Sequence, residues 1–301
     1  MKRTTVVLAM ALAAGTTAVQ AKELEVYGKI NVSAQYSDEG EGSFTELKSN
    51  ASRFGLKGDY ALEDGLTVVY QLEWEVDPSD EANEKNIKSR NQYLGLAGAF
   101  GEVRLGRHDT ALKMSQGKID LFSDYEGDIK VLWKGENRTS DSVSYFSPSF
   151  SGFSAQLTYI AEDDPEAEDG ISAALLYGDE NLKDSTVYAA LAYDADVAGY
   201  DTVRANAQVK VSGFKLGAMY QTQEATDTGL ERDGYLFSVA YPVGKFELKG
   251  QYQAMEDDNG FSAGADYKLG KNTKLFAWYS SFDFDTALDK DYLAVGLEHK
   301  F

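Results

Sequence analysis

The chain of 301 residues contains no cysteine, only four prolines and only two histidines. Without cysteine, the fold has no disulfide and the chain has no thiolate metal ligand or nucleophile. The two histidines, His108 and His299, are far apart, and no His-Glu-x-x-His spacing occurs. The sequence also lacks a Gly-x-Ser-x-Gly elbow, a phosphate loop and a dinucleotide fingerprint. We therefore expect no enzymatic activity, no metal and no cofactor.

Long hydrophobic runs and positive charge are scarce as well. After the first residues, no segment approaches the about 20 consecutive apolar residues that a membrane-spanning helix needs. Acidic residues outnumber basic ones by 49 to 29, which gives a formal net charge of -20. So acidic a chain is a poor partner for nucleic acid. Its excess of acid is expected on loops that face water.

The first 21 residues have the features of a secretory signal peptide. Lys2 and Arg3 form a basic start, residues 6–14 are apolar, and Val19-Gln20-Ala21 is a small-residue cleavage site. We expect cleavage after Ala21, so that residues 22–301 form the mature domain. The net charge then changes from -20 to -22, because the two basic residues are lost.

The mature segment alternates between apolar and other residues almost throughout, which is typical of β-strands with two different faces. The last strand shows the pattern most plainly, with one face made of Leu293, Val295, Leu297, His299 and the terminal Phe301. An apolar strand that ends on an exposed aromatic residue is an aggregation hazard in water. Pairing of this strand with the first one, residues 24–36, would close a barrel and remove both edges.

The full pattern predicts about sixteen strands, and even strand numbers are usual for barrels of bacterial outer membranes. Short turns alternate with longer acidic connections, as in such barrels. The longer ones are expected at the outer end of the barrel, over residues 36–51, 75–90, 108–137, 161–169, 222–233 and 281–291. Aromatic residues cluster at the two ends of the strands, where their rings suit the interface between lipid and water. The expected outer group is Tyr36, Trp74, Tyr159, Tyr193, Tyr220 and Tyr279, and the inner group is Tyr60, Tyr177, Tyr241, Tyr267 and Phe301. A soluble β-sandwich would need neither group.

Three segments resemble the general porins of Gram-negative bacteria, which are trimeric diffusion channels of the outer membrane. Residues 52–58, Ser-Arg-Phe-Gly-Leu-Lys-Gly, are similar to the second strand of that family. Residues 100–110 are similar to its fifth strand, and residues 138–152 to the strand that leaves its third loop. The Pro-Glu-Phe-Gly-Gly motif of the enteric third loop is absent. The resemblance implies an all-β, sixteen-stranded antiparallel transmembrane barrel with an inward-folded third loop, here residues 108–137.

A connection of about 30 residues in a compact fold is usually functional or disordered. The connection over residues 108–137 is too apolar for a disordered segment, so we expect it to be ordered and functional. If it enters the lumen, its acids form one side of a constriction: Asp120, Asp124, Glu126 and Asp128. Strand alternation turns Arg53, Lys57 and Arg104 toward the lumen, opposite these acids. Arg107 has the outward parity of Leu105 and reaches the lumen only where the strand bulges. Arg90 and Arg138 lie at strand ends and complete the predicted basic side.

These observations predict a water-filled pore for passive diffusion of small hydrophilic solutes and ions. The acidic vestibules favour a mild cation preference, although the arginine wall opposes it. A substrate-specific channel stays open as an alternative, since Tyr27, Phe276 and Trp278 have inward parity but are scattered. A plugged barrel that acts as an adhesin or enzyme is the other alternative. The resemblance implies a homotrimer in the outer membrane of a Gram-negative bacterium.

Two further partners are expected. Phe301 would be the C-terminal assembly signal that the barrel-assembly machinery reads. Outer-membrane lipid and lipopolysaccharide would surround the barrel. The acidic run over residues 162–169 has no calcium-loop spacing and is expected to be a solvated loop, with weak bridging to lipopolysaccharide through divalent cations as the alternative.

Overall fold

The computed structural model describes residues 24–79, 86–166 and 168–301, so the expected signal peptide lies outside the described residues. These residues form seventeen β-strands, the short helix α1 (Ala111–Ser115) and two 3-10 turns, Glu63–Gly65 and Ile129–Val131. The first eight strands are β1 (Glu25–Asp38), β2 (Ser43–Ser49), β3 (Arg53–Ala61), β4 (Thr67–Val76), β5 (Ile87–Gly98), β6 (Gly101–Asp109), β7 (Arg138–Phe146) and β8 (Phe153–Ile160). The others are β9 (Gly170–Gly178), β10 (Val187–Val197), β11 (Tyr200–Val211), β12 (Phe214–Ala225), β13 (Glu231–Val243), β14 (Phe246–Met255), β15 (Asp258–Lys268), β16 (Thr273–Asp283) and β17 (Lys290–Lys300). No helix in the described part of the chain is long and apolar enough to cross a membrane.

The strands close into a ring. Neighbouring strands are antiparallel, and β17 returns to pair with β1 over Lys29↔Lys300 to Asp38↔Asp291. Strands β2 and β3 pair one after the other along the opposite side of β1. Together β2 and β3 therefore take the place of one barrel strand, which is interrupted near Ala51, whose φ is 48°. The result is a closed barrel of sixteen strands around its circumference, which confirms the predicted fold class.

The outer surface of the barrel is apolar and the inner surface is largely polar. On β17, Leu293, Val295 and Leu297 are 46–59% exposed, whereas Ala294 is buried inside. On β1 the buried inward residues include Asn31, Ser33, Gln35 and Ser37. A surface of exposed Leu, Val, Phe and Tyr of this extent is stable against lipid rather than water.

Phe301 completes the closure at the chain terminus. Its backbone exchanges two hydrogen bonds with Gly28, of 3.0 and 3.1 Å. A Cβ at Gly28 would lie 2.5 Å from the Phe301 ring and 2.6 Å from the Arg53 carbonyl oxygen. The aromatic ring thus covers the glycine on the lipid-facing side, an arrangement that stabilises glycine within a sheet.

The connections differ in length at the two ends. We call the end that holds Glu25 and Phe301 the inner end, and the other the outer end. The expected long outer connections 36–51, 222–233 and 281–291 are shorter than the sequence suggested, because β-pairing continues into them. Residues 43–49, in particular, are the strand β2 rather than loop. The connection between β6 and β7 keeps its length and folds into the barrel, as predicted.

Substituting the glycine at the closure should destabilise the barrel. In Gly28→Ala, the new methyl group contacts the Arg53 carbonyl and the Phe301 ring, and overpacking of this kind costs about 1–3 kcal/mol. Urea unfolding in detergent, followed by heat-modifiable mobility on gels, measures the change. Gly270→Ala is the control, since a Cβ there meets no atom within 4 Å. Equal stability of the two variants would contradict the role of this contact.

Candidate functional site

The connection between β6 and β7, residues 110–137, is called the inward loop below. It starts with Thr110, whose hydroxyl caps α1, and α1 packs against β9 and β10. The chain then follows the barrel wall, with Ile119 against Gly217 on β12 and Tyr125 against Phe276 on β16. The inward loop therefore fills the side of the lumen between β9 and β16.

An apolar cluster fixes the inward loop to the wall. Ile119, Phe122, Ile129 and Trp133 are 0–1% exposed. They pack with inward-facing residues of the opposite strands: Met219, Leu236, Met255, Phe276, Trp278, Phe282, Tyr292 and Ala294. The Trp133 indole also donates a hydrogen bond of 3.1 Å to the Ala254 carbonyl. Phe276 and Trp278, whose inward parity was predicted, thus hold the loop and do not face an open channel.

Lysine and glutamine side chains hold the loop from the same wall. Lys249 lies 5.1 Å from the centre of the Phe122 ring and donates to the Leu121 carbonyl at 3.3 Å. Gln251 and Gln253 both donate to the Gly127 carbonyl, at 3.2 and 3.0 Å. Backbone carbonyl groups of the loop tip accept hydrogen bonds in this way, and these bonds fix the position of the tip.

Asp124 joins the tip of the loop to the opposite side of the lumen. We call this side, formed by β1–β7 and carrying the predicted bases, the basic wall. Its carboxylate accepts from Lys29 at 2.8 Å and from Arg53 at 3.1 Å. Burial raises the pKa of Asp124, but the charges of Lys29 and Arg53 outweigh it, and the pKa falls to about 2. Asp124 is therefore ionised at every physiological pH. The predicted opposition of Asp124 and Arg53 takes the form of direct contact.

The other three acids of the loop differ in their surroundings. Glu126 pairs with Lys48 on β2. Asp120 accepts from the backbone of Phe122 and Ile129 and from Gln251. Asp128, which is 6% exposed, accepts from the backbone of Asp124 and Lys130. Asp120 and Asp128 thus shape the loop, while Asp124 and Glu126 reach basic side chains of the wall.

Most of the predicted bases pair with acids of the same wall. Arg90 binds Glu73 and Glu75, both at 2.7 Å. Arg138 lies 3.0 Å from Asp109. Basic and acidic side chains therefore lie next to each other on the basic wall.

Further along the same wall, Arg104 binds Glu102 at 2.6 Å, and its guanidinium lies 4.5 Å from the Tyr93 ring centre and 4.2 Å from that of Phe146. This stacking fixes the plane of the charged group.

Lys57 and Arg107 lie away from the loop tip. Lys57 is 3.3 Å from Glu25, near the inner end. The pairing of β6 with β7 shifts register between Gly106 and His108, and the Arg107 guanidinium donates to the Ser140 hydroxyl at 2.9 Å. Neither is brought into contact with the acids of the inward loop.

Several charged residues of the site were not predicted. Lys29 shares the inward parity of Tyr27 and Asn31, so alternation alone could have identified it. Lys48 lies on β2, where the sequence analysis predicts a connection and no strand. Glu73 and Asp109 lie on the same wall as the arginines that they bind, and the sequence pattern does not indicate these pairs.

Comparison with known proteins gives the family. The chain matches the family of Gram-negative porins over residues 4–287. It belongs to the Gram-negative porin family. It is 26% identical to the major outer membrane protein P.IB of Neisseria sicca, over 98% of this chain and 99% of that protein. It is also 27% identical to outer membrane porin protein 32 of Delftia acidovorans, over 100% of this chain and 93% of that protein.

Solved structures share the fold. The anion-selective porin from Comamonas acidovorans superposes with a TM-score of 0.79 at 22% identity, over 94% of this chain and 100% of that one. Salmonella typhi OmpF in complex with daunomycin gives a TM-score of 0.74 at 18% identity, over 92% and 97%. This porin is thus an outer-membrane β-barrel of a Gram-negative bacterium, a channel for passive diffusion of small hydrophilic solutes. Family membership points to a channel rather than an enzyme.

Removing the large indole should loosen the inward loop while the barrel stays closed. Trp133→Ala leaves a cavity in the cluster, which costs about 3–5 kcal/mol for a buried aromatic residue. Amide hydrogen exchange across residues 110–137 should accelerate, while exchange in β11–β14 stays slow. Phe237→Ala removes a lipid-facing ring and serves as the control. Unchanged exchange in the loop would show that the cluster does not hold it.

Proposed function

We propose that solutes cross this porin through the part of the lumen that the inward loop leaves free, beside β3–β7. The observation that carries this proposal is the position of Asp124, which joins the loop tip to Lys29 and Arg53 and so bounds the passage on one side. A recess of about 180 Å³ on this wall, lined by Lys57, Gln71, Tyr93 and Arg104 among others, supports it.

The constriction consists of Asp124 and Glu126 from the loop and of Lys29, Lys48 and Arg53 from the wall. Arg90, Arg104 and Arg138 continue the wall with their acidic partners. Paired charges that line a water-filled passage order the solvent and favour polar over apolar solutes. Asp120 and Asp128 contribute by holding the shape of the loop. Arg107 and Lys57 lie at the margins of the constriction.

We propose a mild preference for cations, because acidic connections surround the outer mouth. The Comamonas neighbour is described as anion-selective, so the sign must be measured for this chain. Reversal potentials in a KCl gradient would decide, and a clear anion preference would contradict the proposal.

Membership of the family supports a proposal for the assembly and surroundings of the barrel. We propose a homotrimer, as one neighbour, OmpT of Vibrio cholerae, is described in a trimer form. Phe301, at the barrel closure, would be recognised by the barrel-assembly machinery, and lipopolysaccharide would surround the outer end. We also propose that the protein has no enzymatic activity. Within the described residues, no group of three or more His, Asp or Glu side chains could hold a metal ion.

Single-channel recording in planar bilayers tests the channel. The purified protein should give stable ohmic steps in 1 M KCl, in groups of three if it is a trimer. Absence of conductance from a folded barrel would contradict the open passage and favour a plugged adhesin or enzyme. Block by one sugar or amino acid at low concentration would favour a substrate-specific channel.

Neutralising Asp124 should shift the ion preference toward anions. Asp124→Asn removes the charge that faces Lys29 and Arg53 and leaves two cations beside the passage. The reversal potential in a KCl gradient measures the shift. Asp163→Asn removes the same charge from an exposed residue of the outer connection between β8 and β9 and is the matched control. Equal shifts in the two variants would show that Asp124 has no special position.

A further inference from the structure

The charges of this barrel are sorted along its axis. On β10–β17, the outer ends comprise residues 196–202, 223–233, 255–258 and 282–291. They carry thirteen acidic and two basic side chains, a net charge of -11. The inner ends of β11–β17 comprise residues 209–216, 244–249, 266–274 and 298–301. They carry three acidic and eight basic side chains, a net charge of +5.

The rest of the barrel keeps the same direction of asymmetry. Outer connections 39–42 and 161–166 hold six acids and no base. Inner connections 62–66 and 179–186 hold five acids and one base, which roughly balances the basic inner ends of β11–β17. The outer mouth is thus strongly negative, whereas the inner mouth is nearly neutral overall and basic along one arc.

The inner lysines are available to ions. Lys245, Lys268 and Lys271 are exposed, and none of them has an ion-pair partner within the described ranges. By contrast, Lys249 and Lys274 are engaged by Asp266. The exposed lysines can therefore attract anions to the inner mouth, as the acids attract cations to the outer one.

We propose that this axial sorting of charge makes the pore rectify: it passes more current when the outer side is positive. At that polarity, cations enter from the acidic mouth and anions from the lysine arc, so both accumulate at the narrow part between them. At the opposite polarity, cations must enter past the lysine arc and anions past the acidic mouth. Each ion is then repelled where it enters, and the narrow part is depleted of ions. The inference rests on the proposed passage through the lumen and adds that the current through this passage is larger at one polarity.

Salt provides a first test. The screening length is about 30 Å at 0.01 M and about 3 Å at 1 M, so the mouths act over the whole vestibule only at low salt. Current–voltage curves in KCl with a chelator, which removes divalent cations, should be asymmetric at about 10 mM and symmetric at about 1 M. Because the chain has no native cysteine, Thr286→Cys at the outer end and a bulky thiol reagent on one side establish the orientation.

Charge variants identify the source of the asymmetry. The outer triple variant Asp227→Asn, Asp257→Asn and Asp283→Asn changes exposed residues and should reduce the ratio of currents at opposite voltages. The inner triple variant Lys245→Gln, Lys268→Gln and Lys271→Gln should reduce it as well.

A control variant should act in the other direction. Glu63→Gln, Asp64→Asn and Asp184→Asn remove three acids from the inner end and make it more basic, so rectification should increase. A symmetric current of the wild-type pore at about 10 mM KCl would overturn this inference while leaving the channel intact. Opposite orientation of the larger current would overturn it too. No current at any salt concentration would instead contradict the channel itself.

Discussion

Every part of this structure depends on the hydrogen bonding of its backbone in lipid. In a bilayer no water satisfies exposed N–H and C=O groups, so a sheet must close on itself. The pairing of β1 with β17, completed by the two bonds between Gly28 and Phe301, achieves this. Closure in turn requires one face of every strand to meet lipid and the other to meet the lumen, which produces the alternation in the sequence.

The constraint leaves the interior without a sheet-to-sheet core, and the inward loop provides one. Its apolar residues pack against inward-facing Met, Phe and Trp of β12–β16, so a dry cluster occupies one side of the lumen. The other side keeps charged and polar residues. A single loop thus separates the lumen into a packed part and a hydrated part, and the anchoring of its tip by Asp124 determines where the boundary lies.

Alternation made the barrel, the terminal closure and the inward direction of Arg53 and Arg104 predictable from sequence, because strand parity is a local property. The length and apolarity of residues 110–137 indicated an ordered loop. Parity could not show which loop acids meet the wall, since the turn over residues 120–128 has no period. The sequence therefore does not distinguish Asp120 and Asp128 from Asp124, although both accept hydrogen bonds from the loop's own backbone and neither pairs with a basic side chain of the described strands of the wall. The strand that carries Lys48 could not be predicted, because the chain breaks between β2 and β3, where Ala51 has a positive φ.

Pairing within the wall explains how a row of arginines can persist in a narrow lumen. Like charges at short range repel, and a buried charge without a partner is strongly destabilising. Glu73, Glu102 and Asp109 each neutralise one arginine while leaving its guanidinium beside the passage. Asp124 instead supplies the wall with an acid from the loop. The field inside the pore is consequently set by where each pair is placed and not by net charge. The two mouths, by contrast, keep a surplus of one sign, acidic at the outer end and basic along the inner arc that carries Lys245, Lys268 and Lys271.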